Sequence, residues 1–275
     1  MKISESANQR IATFEAALSL TDNCSHKDLL FAGVDLGTAY IVTAVVDQQG
    51  NPLAGVLTRS QYSIRDGVVL DYSGAVNILR QQVDVLRAAG FSIRSAAAAY
   101  PPGTIGRTAK VFGNVLSAVG MDVMGLIDEP TAASMVLEIT DGAVVDIGGG
   151  TTGISVIKDG KVIYTADEPT GGIHMDLVLA GHFKIPVHEA ELMKIDPEHQ
   201  SEILPLITPV FQKMASIVKR HIRDYPVDTL YLVGGTSCFP GIETVIESET
   251  GLSVERPDNP MLVTPLGIAL SCIKN

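Results

Sequence analysis

Two segments of the chain join an aspartate to a glycine-rich turn. They read GVDLGT at 33–38 and VVDIGGGTT at 144–152, and in each an aliphatic run typical of a buried strand ends at Asp35 or Asp146. Glycine has no Cβ, so backbone N–H groups in such a turn can approach an anion and donate to it. The pair of turns predicts two walls of one polyphosphate site, in which Asp35 and Asp146 hold Mg²⁺ mostly through water.

A third glycine turn, VGGT at 233–236, also follows a predicted strand. Glycine is required in many tight turns between strands as well, so any one of these turns alone is weak evidence of phosphate binding. Three turns at equivalent places favour the phosphate interpretation over the purely structural one.

The strands and helices that must position the turns follow one order twice. Three consecutive antiparallel strands, among them 40–46 and 53–59, are followed by a helix at 74–90 and then by strand, helix, strand and helix. The second half repeats this order, βββαβαβα, with an insertion at 173–225 before its middle strand. The pattern predicts an α/β fold of two similar lobes, each a mixed sheet covered by helices, with the turns at the strand ends that face a crevice.

The amino-terminal segment 1–30 precedes the first strand and is predicted to be a helical extension. Ala7, Ile11, Phe14 and Leu18 lie on one face of that helix. The segment is either a docking peptide or a helix that packs on its own protein, and we expect its deletion to leave nucleotide binding intact. Loss of folding on deletion would favour the packing interpretation.

Composition excludes several classes of function. The 275 residues are 46% hydrophobic and 19% charged, with a net charge of -11 and three cysteines. No dense run of Lys and Arg is present to follow a nucleic acid backbone, and the cysteine count argues against a disulfide framework. Neither a bilayer-spanning run nor a signal peptide is evident, so the sequence predicts a cytoplasmic protein without a membrane partner.

Three further motifs do not support other chemistry. The segment GTIGRTAK at 103–110 lacks the spacing of a Walker loop, and GTSCFPG lacks that of a nucleophile elbow, so Ser237 and Cys238 are poor nucleophile candidates. The segment HEAEL, which holds His188 and Glu191, misses the second histidine of a zinc helix. A solvated helix face explains it better.

The ordered segments GVDLGT, DEPTAAS, VVDIGGGTTGISV, LVGGTSCFPGI and TPLGIAL resemble the signature segments of the actin-like ATPase superfamily, with its ribonuclease H-like lobes. The heat-shock chaperone ATPase domain and the bacterial rod-shape actins are the members it resembles most. This resemblance covers nearly the whole chain from Phe31 onward. It implies ATP or ADP with Mg²⁺ in a nucleotide cleft between a first lobe at 31–139 and a second lobe at 140–261, with a helix at 262–275 packing back on the first lobe.

The resemblance also implies roles for individual residues. Asp35, Glu129 and Asp146 match the catalytic carboxylates, and Asp35 and Asp146 match those that face the metal through water. Residues expected to contact the nucleotide are Gly37, Thr38, Ala39 and Tyr40 in the first turn, Gly148, Gly149, Gly150, Thr151 and Thr152 in the second, and Gly234 and Gly235 beside the adenosine. Lys219 and Arg220 match a helix that flanks adenine, or else belong to a solvated helix end.

Three departures from the chaperone pattern affect the expected activity. Gly153 stands where that pattern has a further carboxylate, and no lysine matches the catalytic one, for which Arg59 and Arg65 are the candidate substitutes. Slow or absent hydrolysis is expected, because phosphoryl transfer depends on placed charge and placed water. We also expect no appended peptide-binding domain, and the short insertion argues against filament formation.

Within the superfamily, the chain resembles chaperone-like proteins of ethanolamine utilisation. This implies an assembly or reactivation factor with ethanolamine ammonia-lyase or microcompartment proteins as partners, in the cytoplasm or associated with a bacterial microcompartment, and at most a weak Mg²⁺-dependent ATPase. The alternatives are a nucleotide-binding scaffold without hydrolysis and a small-molecule kinase of the same fold.

Overall fold

Two five-stranded mixed sheets form the cores of two lobes in the computed structural model, which describes residues 2–19, 29–60, 64–65, 68–69, 71–104 and 107–273. In each sheet the first strand of its lobe lies in the centre. It pairs antiparallel with the second strand and parallel with the strand that follows the first crossover helix. The predicted duplication of βββαβαβα is therefore confirmed.

The first lobe is preceded by one helix, and three further helices follow its strands along the chain. Its sheet has the order β3-β2-β1-β6-β7. The elements are α1 (Glu5–Ala17), β1 (Phe31–Leu36), β2 (Tyr40–Val46), β3 (Pro52–Arg59), β4 (Ile64–Arg65), β5 (Val68–Val69), α2 (Tyr72–Ala88), β6 (Ser95–Tyr100), α3 (Arg107–Ala118), β7 (Asp122–Asp128) and α4 (Glu129–Leu137).

The second lobe repeats this arrangement, with the predicted insertion built as helices. Its sheet has the order β10-β9-β8-β11-β12. The elements are β8 (Gly142–Ile147), β9 (Thr152–Lys158), β10 (Lys161–Glu168), α5 (Ile173–Phe183), α6 (Val187–Ile195), α7 (Gln200–Ile222), β11 (Thr229–Val233), α8 (Ile242–Thr250), β12 (Ser253–Glu255) and α9 (Val263–Ser271). Among the described residues, no helix is long and apolar enough to cross a membrane.

Helix α9 crosses the first sheet and also packs against α4, so the two helices meet between the lobes. Backbone contacts make this possible at two glycines. A Cβ on Gly33 in β1 would lie 2.2 Å from the backbone nitrogen of Ala269, and one on Gly267 would lie 2.0 Å from the carbonyl oxygen of Ala132 in α4. A larger residue at either position would push α9 away from its neighbours.

Helix α1 packs on the body of its own protein. Ala7, Ile11 and Phe14 are buried, and the ring of Phe14 occupies the space above Gly55 in β3, where a Cβ would lie 2.5 Å from Phe14 Cε2. On its outer side, Asn8 and Glu15 accept hydrogen bonds from Asp258 and Asn259, which follow β12 of the second lobe. The sequence left two alternatives open for this segment, a docking peptide and a helix that packs on its own protein. The structure has the second.

Candidate functional site

The cleft between the lobes is lined by the two Asp-glycine turns. The first lobe contributes the end of β1 and the turn at 36–40, together with Pro101 and Phe112. The second contributes Asp146, the turn at 148–151, Gly234, Gly235 and, from the segment before α9, Met261 and Thr264. The cavity encloses about 90 Å³, whereas sites for drug-sized ligands typically span about 300–1,000 Å³. The cleft is therefore nearly closed in this conformation.

The carbonyl groups of the second turn are hydrogen-bonded on the side away from the cleft. Gly148 O accepts from the backbone N–H of Gly172 at 3.0 Å and from Thr236 Oγ1 at 2.8 Å, and Gly149 O accepts from the N–H of Ile173 at 2.8 Å. No cis peptide is present among the described residues. In a trans peptide the N–H points opposite to the C=O, so the N–H groups of Gly149 and Gly150 face the other side, toward the first lobe.

The first turn faces the second at van der Waals distance. A Cβ on Gly149 would lie 3.2 Å from the Cβ of Ala39 and 3.4 Å from its backbone nitrogen. The turn is fixed from behind, because the N–H of Ser60, just after β3, donates to Ala39 O at 2.8 Å. A polyphosphate can lie between the turns only if the lobes move apart.

Four carboxyl groups share the cleft region, and the pKa of each is raised. Burial, with the charge of Asp146, raises the pKa of Asp35 to about 7. Burial also raises the pKa of Asp146 to about 6, and that of Asp167 to about 6. The pKa of Glu129 is raised well above its usual range by burial and by the charges of Asp146, Asp35 and Asp167. Among the described residues, no ion pair joins Lys or Arg to any of the four.

The donor set fits a hydrated Mg²⁺ ion. Within the described ranges, no three His, Cys, Asp or Glu side chains converge as direct metal ligands. Mg²⁺ prefers oxygen ligands and usually keeps several of its waters, so separate carboxylates can hold it through that shell. One carboxyl oxygen of Asp167 is buried without a hydrogen-bond partner, and a cation or its water would satisfy it.

Asp146 is fixed in position by its neighbours. Thr264 Oγ1 donates to Asp146 Oδ2 at 2.6 Å. On the other side, the missing side chain of Gly234 leaves room for the carboxylate, since a Cβ there would lie 2.3 Å from Asp146 Oδ1. The third glycine turn therefore makes room for the aspartate of the second.

The structure brings most of the predicted site residues to this cleft, and their roles stay predictions. Those lining it are Asp35, Gly37, Thr38, Ala39, Tyr40, Glu129, Asp146, Gly148, Gly149, Gly150, Thr151, Gly234 and Gly235.

Three residues predicted to contact nucleotide lie elsewhere. Thr152 is the first residue of β9, where its side chain is buried and donates to Thr170 O at 2.5 Å. Lys219 and Arg220 lie in the last turn of α7. Lys219 donates to Glu249 O in α8 at 3.1 Å, and Arg220 pairs with Glu168 at 2.6 Å. In this conformation α7 packs against α8 and neither side chain lines the cleft. Their contacts with adenine stay predictions.

Asp167 is a site residue that the sequence reasoning missed. It lies in β10 directly opposite Gly153 of β9, so both residues are on the sheet face toward the first lobe. A Cβ on Gly153 would lie 3.3 Å from the rings of Pro102 and Pro130. The carboxylate that seemed absent at Gly153 thus has a counterpart on the next strand. The sequence did contain a signal for this residue. Asp167 lies near the end of the third strand of the second repeat, opposite Gly153.

Lys194 is a second residue that was missed. Its ammonium group pairs with Asp176 at 2.6 Å and lies 3.4 Å from Gly172 O, behind the second turn. This position depends on how α6 packs on α5, for which the sequence gives no local signal.

Arg59, a candidate substitute for the catalytic lysine, pairs instead with Glu191 of α6. Glu191 is therefore not on a freely solvated face as predicted, because the insertion leans across the cleft toward β3. The side chain of Arg65 lies outside the described residues.

Comparison with known proteins identifies the fold and close relatives. The chain matches the family model for MreB/Mbl protein over residues 59–196 and the model for cell division protein FtsA over residues 143–267. It is 44% identical over 244 residues to the ethanolamine utilization protein EutJ of Escherichia coli K12, an alignment that covers 88% of this chain and 86% of that protein.

Solved structures agree with this assignment. The crystal structure of EutJ from Carboxydothermus hydrogenoformans has a TM-score of 0.89 at 45% identity, and the match covers 96% of this chain and 97% of that one. MreB5 of Spiroplasma citri bound to ADP has a TM-score of 0.69 at 17% identity, covering 87% and 94% of the two chains. The architecture is that of the actin-like ATPases.

Proposed function

This chain belongs to the EutJ family of ethanolamine utilization proteins, and we propose that it is a nucleotide-dependent assembly or reactivation factor in that process. The observation that carries the proposal is the pair of amide-lined turns, one from each lobe, that meet beside Asp35 and Asp146. Amides and buried carboxylates in one closable cleft suit the phosphates and the metal of ATP or ADP. The ADP bound to the structural neighbour MreB5 supports this ligand class.

The chain's own residues would divide the work as follows. N–H groups of Gly149 and Gly150 would donate to phosphate oxygens, while Asp35 and Asp146 would hold the waters of Mg²⁺, which neutralises phosphate charge when bound. Glu129 begins α4 at the crossing between the lobes, where its carboxyl group can orient a water. Lys194, behind the second turn, would hold α5 in place through its pair with Asp176.

Binding would act on the client through the angle between the lobes. A nucleotide can shift the lobes toward one angle only to the extent that it binds that degree of closure more tightly than the others. We propose ethanolamine ammonia-lyase, or a microcompartment protein, as the partner that senses the change.

Calorimetry with ATP and ADP in the presence and absence of Mg²⁺ tests the first step. We expect Mg²⁺-dependent binding that Asp146→Asn weakens by about tenfold or more, since a hydrogen bond to a charged group contributes roughly 1.5–3 kcal/mol. Asp84→Asn, on the exposed face of α2, is the matched control. No heat and no thermal shift at millimolar nucleotide would reject the proposal.

A binding scaffold without hydrolysis is the second candidate, and it is favoured if Asp167 does not replace the carboxylate that the chaperone pattern has at the position of Gly153. Phosphate release with and without ethanolamine ammonia-lyase separates the two functions. A rate that the lyase stimulates, and that Asp167→Asn lowers, supports an ATPase. Binding without release under either condition supports the scaffold. Nucleotide-dependent phosphorylation of an added metabolite would instead indicate the kinase.

A further inference from the structure

Helix α9 contacts the elements that carry all three predicted catalytic carboxylates. Asp35 lies in β1, Glu129 begins α4 and Asp146 lies in β8. The helix packs on β1 and on α4, and one of its side chains is hydrogen-bonded to Asp146. Because these elements come from both lobes, a single helix that touches all of them can set the spacing of the three carboxylates.

Two of these contacts are made by backbone atoms. A Cβ on Gly33, two residues before Asp35, would lie 2.5 Å from Pro265 O of α9. A Cβ on Gly267 of α9 would lie 2.0 Å from the carbonyl oxygen of Ala132, about one turn into α4. Because the backbones touch at both points, close packing fixes β1 and α4 relative to α9.

The third contact is a hydrogen bond from a side chain in the first turn of α9. Thr264 Oγ1 donates to Asp146 Oδ2 at 2.6 Å, and the two residues are 3% and 7% exposed. Among the described residues, no other side chain donates a hydrogen bond to Asp146. Without the threonine hydroxyl, a buried carboxylate oxygen would lose its donor, which is costly in a site with little access to water.

We propose that Thr264 is a positioning residue that holds Asp146 in place for the Mg²⁺ of the bound nucleotide. The inference rests on the proposed function, since it concerns the same metal. The hydrogen bond stops rotation of the carboxylate and ties it to α9, so that it keeps a fixed place relative to Asp35 and Glu129. Partners of this kind orient the groups that hold a metal, and their loss weakens metal binding although they do not bind the metal themselves.

Calorimetry with ADP, in excess Mg²⁺ and again in EDTA, measures the metal-dependent part of binding. Thr264→Val keeps the shape of the side chain and removes the donor, so it should weaken binding in Mg²⁺ by about tenfold and leave binding in EDTA unchanged. Thr264→Ser keeps the hydroxyl and should bind like the wild type in both conditions. Thr250→Val is the matched control, because it removes a buried hydroxyl that is bonded within α8 to Ile246 O, and it should also bind like the wild type.

Urea unfolding at pH 7.5 without nucleotide or metal tests the contact separately. In the wild-type background, Thr264→Val leaves the buried carboxylate without its donor and should lower the urea midpoint. In an Asp146→Ala background the threonine hydroxyl has already lost its acceptor, so the same substitution should leave the midpoint unchanged or raise it.

Three results would overturn the proposal. One is an equal loss of ADP affinity in Mg²⁺ and in EDTA, which would show that Thr264 supports only the fold. The others are failure of Thr264→Ser to restore binding and an equal fall of the urea midpoint in both backgrounds. If the wild type binds ADP in neither condition, the proposed function fails, while the unfolding comparison still decides whether Thr264 positions Asp146.

Discussion

Gly234 occupies a position that no other residue can take without displacing Asp146. Its φ is 88°, a region costly for residues with a Cβ, and that Cβ would lie 2.3 Å from Asp146 Oδ1. The carboxylate and the third glycine turn therefore depend on each other.

Two constraints favour glycine at position 234, the positive φ and the contact with Asp146, and comparison with a second glycine can separate them. Gly234→Ala should lower the free energy of unfolding by about 2 kcal/mol or more, from backbone strain plus overpacking against the carboxylate. Gly251→Ala is the matched control, since its φ is 75° with no atom within 4 Å of the added Cβ, and should cost only the strain. Urea unfolding measures both, and equal losses would show that the Asp146 contact contributes nothing.

The carboxyl cluster should make stability depend on pH in an unusual direction. In the folded chain the pKa values of Asp35, Asp146 and Asp167 are raised by burial to about 7, 6 and 6, whereas the pKa of an unfolded aspartate is near 3.9. Between these values the folded state binds more protons, so the free energy of unfolding falls as pH rises toward 7.

Urea titrations at pH 5 and pH 7.5 without divalent ions measure this slope. Asp35→Asn should make the fall in unfolding free energy smaller, because the amide cannot ionise while Asp146 and Asp167 still can. Asp84→Asn should leave the fall unchanged. A wild type that gains stability over this interval would contradict the predicted cluster effect.

Local sequence identified the glycine turns because the chemistry lies within a few residues. An aliphatic run places Asp146, and the glycines that follow supply the amides, whatever the rest of the chain does. Asp167 and Lys194 were missed for the opposite reason. The place of Asp167 follows from the register of β10 against β9, and that of Lys194 from the packing of the insertion, neither of which hydrophobic periodicity specifies.

At the scale of elements, α1 lies outside the duplicated lobes but behaves as part of the core. Phe14→Ala should lower the free energy of unfolding by about 3 kcal/mol, as is usual for buried aromatic truncations, because its ring fills the space over Gly55. Gln9→Ala, on the exposed face of the same helix, is the control. Chemical denaturation compares them, and an unchanged midpoint for Phe14→Ala would show that α1 is dispensable.

Element order was predictable except for the short hairpin β4–β5, since alternation and 3.6-residue periodicity recur in both halves. β2 and β7 have the predicted bounds, Tyr40–Val46 and Asp122–Asp128. What periodicity could not give was the direction in which the end of α7 faces. That direction depends on contacts with α8 and β10, where Lys219 donates to Glu249 O and Arg220 pairs with Glu168.

At the scale of the molecule, the closed cleft implies that bound nucleotide holds the lobes further apart than they are here. Small-angle scattering should show a larger radius of gyration with saturating ATP and Mg²⁺ than without them, because the facing turns must separate to admit phosphates. Asp146→Asn at the same nucleotide concentration should stay near the free value. A wild type that binds nucleotide with unchanged scattering would contradict this prediction.

The position of α9 has a consequence for biosynthesis. This helix covers β1 and reaches α4, yet it is encoded far downstream of both. While the ribosome is still translating the second lobe, the part of the first sheet that α9 covers is exposed beside α1 and α4, and the nascent chain is open to aggregation there. The first lobe to be synthesised is therefore the last to be completed, because its folding must wait until the second lobe has been translated and α9 has left the exit tunnel.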